Sequence, residues 1–243
     1  NSNNPNELLN ELLDKTFDFL RIKTDLFHPG SIDEAKSLVQ QAVNRKFKKH
    51  KKLSQRAGHA LSKAGSPVMA TKILEELVSG GDRDVETHSL LASAYKDLWE
   101  YSSDLQSKRK YAELAIARYQ EAYSTNSFDN LRMSQRQDLE TQYYPCINIA
   151  FMYFMSGDID TGRENAEKAR QICLKLQEKG TSDYWIKVTE AEALLVLGSI
   201  EAAAETYTEA VSSGDAQPSQ IASTRKQALQ IAGMYEDEEI LEK

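Results

Sequence analysis

The feature that most constrains the fold of this chain is a small residue followed, 12 positions later, by another small residue. Three such pairs occur in order along the chain: Gly58 and Ala70, Ala150 and Gly162, and Ala191 and Ala203. Two helices can cross closely only where their side chains are small, because a large side chain at the crossing separates the backbones and leaves voids. The step from Gly58 to Ala92 is 34 residues, so the pattern predicts that helix pairs repeat along the chain.

Other residues recur in phase with these crossings. A tyrosine follows the crossing residue by three positions at Tyr95 and at Tyr153. Gly157 and Gly198 stand where the first helix of a pair would end in a left-handed C-cap. These offsets are typical of tetratricopeptide repeats, and the apolar residues keep a helical period with no strand-like alternation. The sequence therefore predicts an all-α, tetratricopeptide-like, right-handed superhelical solenoid of about four helix pairs, with a helical N-terminal segment and a C-terminal capping helix.

The repeats divide the chain into a helical N-terminal segment at 1–52, a repeat domain at 53–232 and an acidic tail at 233–243. Two stretches, at about 98–108 and about 124–141, are longer than the repeat requires. Because insertions in solenoids fall at loops, we expect both stretches to be loops near the binding side. The five prolines are expected at helix starts or in connections, since proline lacks the N–H that a helix interior needs.

Motifs for catalysis and for metal binding are absent from the sequence, so we predict neither an enzyme nor a cofactor. It has no glycine-rich phosphate loop and no GxSxG motif, and its four histidines do not have the spacing of metal ligands. Asp158 and Asp160 are predicted to be the cap and the first-turn acid of a helix instead of an acid–base pair. Cys146 and Cys173 are predicted to be buried free thiols in a reducing cytoplasm, with one disulfide as the alternative.

The net charge of −7 argues against nucleic acid as a partner of the whole chain. No stretch has the roughly 18 apolar residues that a membrane span needs. The charge is uneven, with basic residues crowded at 45–56 and acidic residues at 236–242. The basic stretch is predicted to be a solvated helix face or a connector, and the alternative is a docking patch for an acidic partner.

Polar and aromatic side chains at positions where the first helix of each pair faces the inside of the solenoid form the candidate binding site. They are Lys96, Asp97, Tyr144, Asn148 and Trp185, with Arg225 on the last helix. Aromatic rings offer flat contact area at a low entropic cost, and the polar groups offer directional bonds. We predict one concave pocket suited to an anionic ligand with a flat ring. The alternative is that Tyr144 and Trp185 belong to the core between repeats and that Lys96 and Asp97 form a surface pair.

Several stretches carry a resemblance to a known family. They are 94–99 (Ala-Tyr-Lys-Asp-Leu-Trp), 143–148 (Tyr-Tyr-Pro-Cys-Ile-Asn) and 183–185 (Asp-Tyr-Trp), followed by Gly198, Thr224 and Arg225. Over about 53–232 the chain resembles the TPR-S family of bacterial tetratricopeptide sensor modules, which is similar to the central regulatory domain of the apoptosis signal-regulating kinases. Cys146 stands where that family usually has a glycine. The resemblance implies a regulatory module, often fused to signalling or conflict-effector domains, that senses a nucleotide-derived ligand.

A second resemblance covers about 8–53 and rests on the run from Phe17 to Phe27, Phe-Asp-Phe-Leu-Arg-Ile-Lys-Thr-Asp-Leu-Phe. This run is similar to the N-terminal segment of the nuclear distribution protein C family, which is associated with chaperone and dynein work. The alternative is that its apolar residues, with Leu20 and Ile22 among them, form a small helical hairpin that caps the solenoid.

These features lead to one functional hypothesis and two alternatives. We expect a non-catalytic, cytoplasmic module for ligand sensing or scaffolding in signalling or defence, which binds a nucleotide-like ligand or a partner protein in its groove. The first alternative is a chaperone-type adaptor that captures a partner's C-terminal carboxylate. Such a clamp is built from Lys, Asn and Arg residues, but its first-unit positions hold Gln55 and His59 here and its second-unit asparagine position holds Leu90, so the clamp is largely absent. The second alternative is a structural spacer between further domains.

Overall fold

The computed structural model describes residues 51–128, 135–213 and 216–235, and within these ranges it contains helices and no strand. The predicted N-terminal segment lies outside them except for its last two residues, and so does the acidic tail beyond Tyr235. The described helices are α1 (Lys51–Lys63), α2 (Pro67–Ser79), α3 (Val85–Tyr101), α4 (Leu105–Phe128), α5 (Gln135–Met155), α6 (Ile159–Glu178), α7 (Tyr184–Val196), α8 (Ile200–Ser212) and α9 (Pro218–Tyr235). They form four consecutive helix pairs followed by one further helix, as the sequence predicts.

The chain divides within α4 into two compact units, one ending at Ala115 and the other beginning at Ile116. In the first unit, α2 packs against α1 and α3, and α1 also packs against α3. In the second unit, α6 packs against α5 and α7, α8 packs against α7, and α5 and α7 pack against each other. Among these helices, those that follow one another along the chain pack together within each unit, and so do the first helices of successive pairs (α1 with α3, α5 with α7), as in a helical repeat.

Burial and close approach support the predicted crossings. Ala70, Ala150 and Ala191 are completely buried. A β-carbon added to Gly58 would lie 2.6 Å from Leu74 Cγ, and one added to Gly162 would lie 2.9 Å from the backbone nitrogen of Phe154. The small residues are thus buried, and both glycines stand where a neighbouring helix leaves no room for a side chain, as the repeat register read from the sequence requires.

This register makes Ala150→Leu a direct test of the third crossing. Since Ala150 has no exposed surface, the larger side chain must displace its neighbours, and we expect the free energy of unfolding to fall by roughly 1–3 kcal/mol. Thermal unfolding followed by circular dichroism measures this loss. Ala204→Leu on the exposed side of α8 is the matched control and is expected to change stability by less than about 0.5 kcal/mol.

The predicted left-handed C-caps are also confirmed, at φ of 88° for Gly157 and 85° for Gly198. At the end of α5 the N–H groups of Gly157 and Asp158 donate to the carbonyls of Phe154 and Tyr153, at 3.1 and 3.0 Å. This pair of bonds is a Schellman motif, which satisfies carbonyls that a helix end leaves open. Asp158 then begins α6 by accepting a hydrogen bond from the Thr161 N–H at 3.2 Å, the predicted capping role.

The expectation of a loop at 98–108 is wrong, and so is the expectation that Pro145 stands at a helix start. Only 102–104 separate α3 from α4, and the extra residues near 98–108 lengthen these two helices to 17 and 24 residues. In the stretch at 124–141, α4 runs to Phe128 and α5 begins at Gln135, and the residues between them lie outside the described part of the chain. Pro145 therefore lies inside α5 instead of at its start. Pro145 itself is buried, and packing can outweigh the local penalty of about 3 kcal/mol for such a proline.

The last helix, α9, closes the second unit as the predicted cap. The Tyr235 hydroxyl reaches the carbonyl oxygens of Leu195 and Val196, at 2.7 and 2.9 Å, which belong to the final turn of α7. The Tyr235 oxygen also accepts a hydrogen bond from Arg163 on α6, and its ring lies 5.7 Å from that of Phe154 on α5. One side chain of the cap therefore contacts three earlier helices.

Candidate functional site

The first helix of each pair, here called the A helix, carries the predicted site residues, apart from Arg225. A position six residues before the crossing is occupied in successive A helices by Lys52, Glu86, Tyr144 and Trp185. In the first unit, Lys52 Nζ lies 2.5 Å from Glu86 Oε2, so these positions meet across neighbouring A helices. In the second unit, where α5 packs against α7, the equivalent positions hold Tyr144 and Trp185. The same place in the repeat is charged in one unit and aromatic in the other.

Tyr144 and Trp185 are both partly exposed, and the ring of each packs against the ring of a tyrosine. Tyr144 is 40% exposed and Trp185 is 38% exposed, so neither belongs to the core between repeats. The Tyr144 ring meets the buried Tyr119 ring edge-on at 6.1 Å, and the Trp185 ring meets the buried Tyr184 ring edge-on at 5.3 Å. Edge-to-face pairs of this kind are favourable. Each exposed ring is therefore held in place by an aromatic partner beneath it.

Asn148 lies one turn after Tyr144 on α5 and is buried. Its Nδ2 donates to the Tyr144 carbonyl oxygen at 2.9 Å, within the same helix. The structure thus places Asn148 beneath the Tyr144 surface, as a support of the helix that carries the ring.

Arg225 is exposed on α9. The residue before it, Thr224, accepts a hydrogen bond at its Oγ1 from the Tyr184 hydroxyl at 2.9 Å. Tyr184 in turn supports Trp185, so the cap helix is joined to the A helix next to the tryptophan. Within the second unit, this bond links the backbone that carries Arg225 to the backbone that carries Trp185.

Lys96 and Asp97 lie in the first unit on α3 and are half-buried. Asp97 Oδ2 accepts a short hydrogen bond from Ser62 Oγ on α1. Burial raises the pKa of Asp97, while the Ser62 bond and the charges of Lys63 and Lys96 oppose that rise. Ser62 precedes Asp97 by 35 residues, close to the repeat length, and that spacing is the signal by which sequence alone could have paired them.

His59 stands near this group on α1. Burial lowers its pKa to about 4, and the cations Lys63 and Arg56 act in the same direction. His59 is therefore uncharged at neutral pH. The six predicted residues thus fall into two sets, Lys96 and Asp97 in the first unit and the other four in the second, and the single shared pocket stays a prediction.

The described residues contain no group of three or more histidine, cysteine, aspartate or glutamate side chains that could hold a metal ion. Among the helices described, none is long and apolar enough to cross a membrane. Cys146 and Cys173 are free and buried, as predicted. Burial raises the pKa of the Cys146 thiol to about 12, which leaves almost no thiolate for nucleophilic chemistry near neutral pH.

Comparison with known proteins places these helix pairs in a family. The family described as Tetratricopeptide Repeats-Sensor (TPR-S) matches residues 31–153, which is half of the 243-residue chain. The chain belongs to the TPR-S family. The match begins before α1 and ends in α5, so it includes Lys96, Asp97, Tyr144 and Asn148, whereas Trp185 and Arg225 lie beyond it.

Two solved structures resemble this TPR-S chain. TTC0263, a thermophilic TPR protein of Thermus thermophilus, is 19% identical with a TM-score of 0.55, and the alignment covers 90% of this chain and 97% of that one. The MamA protein is 16% identical with a TM-score of 0.47, and 96% of each chain is covered. No curated protein matches the chain. The likeness to TTC0263 establishes the fold class as an all-α tetratricopeptide-like solenoid. Proteins of this kind are generally non-catalytic scaffolds that bind other proteins.

Proposed function

We propose that this TPR-S chain is a non-catalytic sensing or scaffold module of intracellular signalling or defence. Its ligand is a nucleotide-like molecule or a partner protein, and it binds on the A-helix face of the second unit. The observation that carries this proposal is the pair Tyr144 and Trp185, which are exposed at equivalent repeat positions and supported from below by tyrosines. Function of this kind fits a cytoplasmic protein with a fused effector domain, as the TPR-S resemblance implies.

The chemistry of this face suits a ligand with a flat ring and a negative charge. An aromatic ring held by its neighbour stacks on a base or a planar side chain with little loss of entropy, and such stacking contributes about 1–3 kcal/mol per base. Arg225, whose backbone is tied to that of Trp185 through Thr224 and Tyr184, offers planar donors for a phosphate or carboxylate.

The chaperone-type clamp gains no support from the geometry of the first unit. Gln55, at one clamp position, is completely buried, and its Nε2 donates to Thr87 Oγ1 at 2.7 Å. His59, at the other, is uncharged near neutral pH and cannot pair with a carboxylate as a cation. We therefore propose the aromatic face of the second unit, and not a carboxylate clamp, as the binding surface.

The test is a thermal-shift screen with nucleotides and with acidic C-terminal peptides, followed by calorimetry on any ligand found. Trp185→Ala is expected to weaken binding by about tenfold or more, because it removes a stacking surface. Val211→Ala, which trims an exposed apolar side chain on α8, is the control and should bind like the parent. Equal affinity in the parent, Trp185→Ala and Tyr144→Ala, all folded, would place the site elsewhere.

Fluorescence gives an independent readout, since Trp99 and Trp185 are the two tryptophans of the chain. Trp99 is buried, so a Trp99→Phe variant leaves Trp185 as the single, partly exposed reporter. A ligand that stacks on Trp185 should change its emission at the concentrations that calorimetry gives for binding. Binding without any change of emission would contradict stacking on this residue.

A further inference from the structure

The turn between α3 and α4 displays two large apolar side chains to solvent. Tyr101, the last residue of α3, is 65% exposed, and Leu105, the first residue of α4, is 79% exposed. Leu105 is the most exposed large apolar side chain among the residues that the structure describes. Single exposed apolar residues are common on proteins, so the informative feature is that two of them flank the same short turn.

The backbone of this turn is held by local hydrogen bonds. Asp104 Oδ1 accepts from the Ser107 N–H at 2.8 Å, which caps the start of α4. Ser102 closes the end of α3, where its Oγ donates to the Leu98 carbonyl oxygen at 2.8 Å. Because the backbone is already ordered, a partner that binds Tyr101 and Leu105 has little loop entropy to remove.

Cations lie on the helix face next to Leu105. Lys108 and Arg109 follow it by three and four residues, so their side chains leave α4 on the same side. Lys108 Nζ lies 5.4 Å from the centroid of the Trp99 ring, which fixes one charge close to the turn. Asp104, the acid within the turn, has its pKa lowered by its bonds to Ser107 and is occupied as the helix cap.

We infer that Tyr101, Leu105, Lys108 and Arg109, here called the α3–α4 tip, dock an acidic segment of a partner protein that carries an aliphatic side chain. Carboxylates of the segment pair with Lys108 and Arg109, and its aliphatic side chain packs against Leu105 and Tyr101. The tip belongs to the extra residues that make α3 and α4 longer than the repeat requires. Packing of the repeat therefore does not depend on these residues. The inference goes beyond the proposed function, since it uses another surface, in the first unit.

Charge favours a short acidic segment over an anionic membrane. The whole chain carries a net charge of −7, so an extended anionic surface such as a membrane would repel it. A short segment at the tip responds mainly to charges within a Debye length of about 8 Å, such as those of Lys108 and Arg109. Two apolar side chains are also less than stable membrane anchoring requires.

The experiment measures fluorescence anisotropy of a labelled glutamate-rich peptide with one central leucine, titrated with the full chain. Saturable binding that weakens as salt is added is expected. Leu105→Ser and the pair Lys108→Glu with Arg109→Glu should each weaken it by about tenfold or more. A peptide with serine in place of leucine should bind as weakly to the parent as the leucine peptide binds to Leu105→Ser.

The matched control is Val68→Ser with Lys72→Glu, which changes an exposed aliphatic residue and an exposed cation in the same way on α2. It should bind the peptide like the parent. The inference is overturned if the peptide does not bind, or if the control loses binding as much as the tip variants. If the parent binds phosphatidylserine vesicles but not the peptide, and Leu105→Ser abolishes the vesicle binding, the inference is overturned in favour of a membrane surface. All the substituted residues are at least partly exposed, so unchanged thermal unfolding shows that the variants are folded.

Discussion

Replacing Phe154 by alanine is expected to lower the free energy of unfolding by about 3–5 kcal/mol. Phe154 is completely buried, and Gly162 on α6 is small enough for the two backbones to meet at this point. Its ring also contacts Tyr235, so the substitution opens a cavity where α5, α6 and the cap helix come together. The loss should appear in urea unfolding as a lower midpoint with an unchanged slope.

Leu229→Ala on the exposed side of α9 is the control for this prediction, and we expect it to change stability by less than about 0.5 kcal/mol. If Phe154→Ala unfolds at the same urea concentration as the parent, then the α5–α6 crossing does not carry the stability that its burial indicates. A changed slope, in contrast, would indicate that unfolding is no longer two-state or that the surface exposed on unfolding has changed.

Leu74→Ala is expected to have the corresponding effect on the first unit, with a loss of about 2–5 kcal/mol. Leu74 is completely buried on α2, and a β-carbon on Gly58 would come within 2.6 Å of its Cγ. The leucine therefore fills the space that the glycine leaves open. Urea unfolding of the single variant measures the loss.

The same crossing allows a double-mutant cycle. Gly58→Ala alone introduces a clash with Leu74, whereas in the Leu74→Ala background the added methyl group enters the cavity. We expect the two substitutions together to be less destabilising than the sum of the single losses, by at least about 0.5 kcal/mol. Strict additivity would mean that the two residues do not meet.

The two units use one repeat for different surfaces. Lys52 and Glu86 form an ion pair at the position where Tyr144 and Trp185 stand in the second unit. Surface ion pairs of this kind contribute little to stability or to binding, whereas exposed and supported aromatic rings are typical contact residues. A ligand that needs stacking is therefore expected on the second unit, and an acidic partner on the tip of the first.

Three of the predicted site residues show which structural properties a sequence pattern can and cannot predict. The sequence predicts Tyr144, Asn148 and Trp185 as site residues because they lie at A-helix positions expected to face the inside of the solenoid. The structure partly exposes Tyr144 and Trp185, whereas Asn148 is buried and bonded to its own helix. Spacing along a helix assigns a residue to a face, but exposure depends on which other helices cover that face.

The sequence by itself determined the helix pairs, the small residues at their crossings and the left-handed ends of two A helices. Close crossings require small residues at Gly58, Ala150 and Ala191, and left-handed C-caps require Gly157 and Gly198, so these signals are local and periodic. Only the tertiary structure decided that the extra residues of the longer units extend helices, and that α5 continues through Pro145. The reason is physical: packing against neighbouring helices outweighs local preference, and such contacts join residues too far apart in sequence for any short pattern to record.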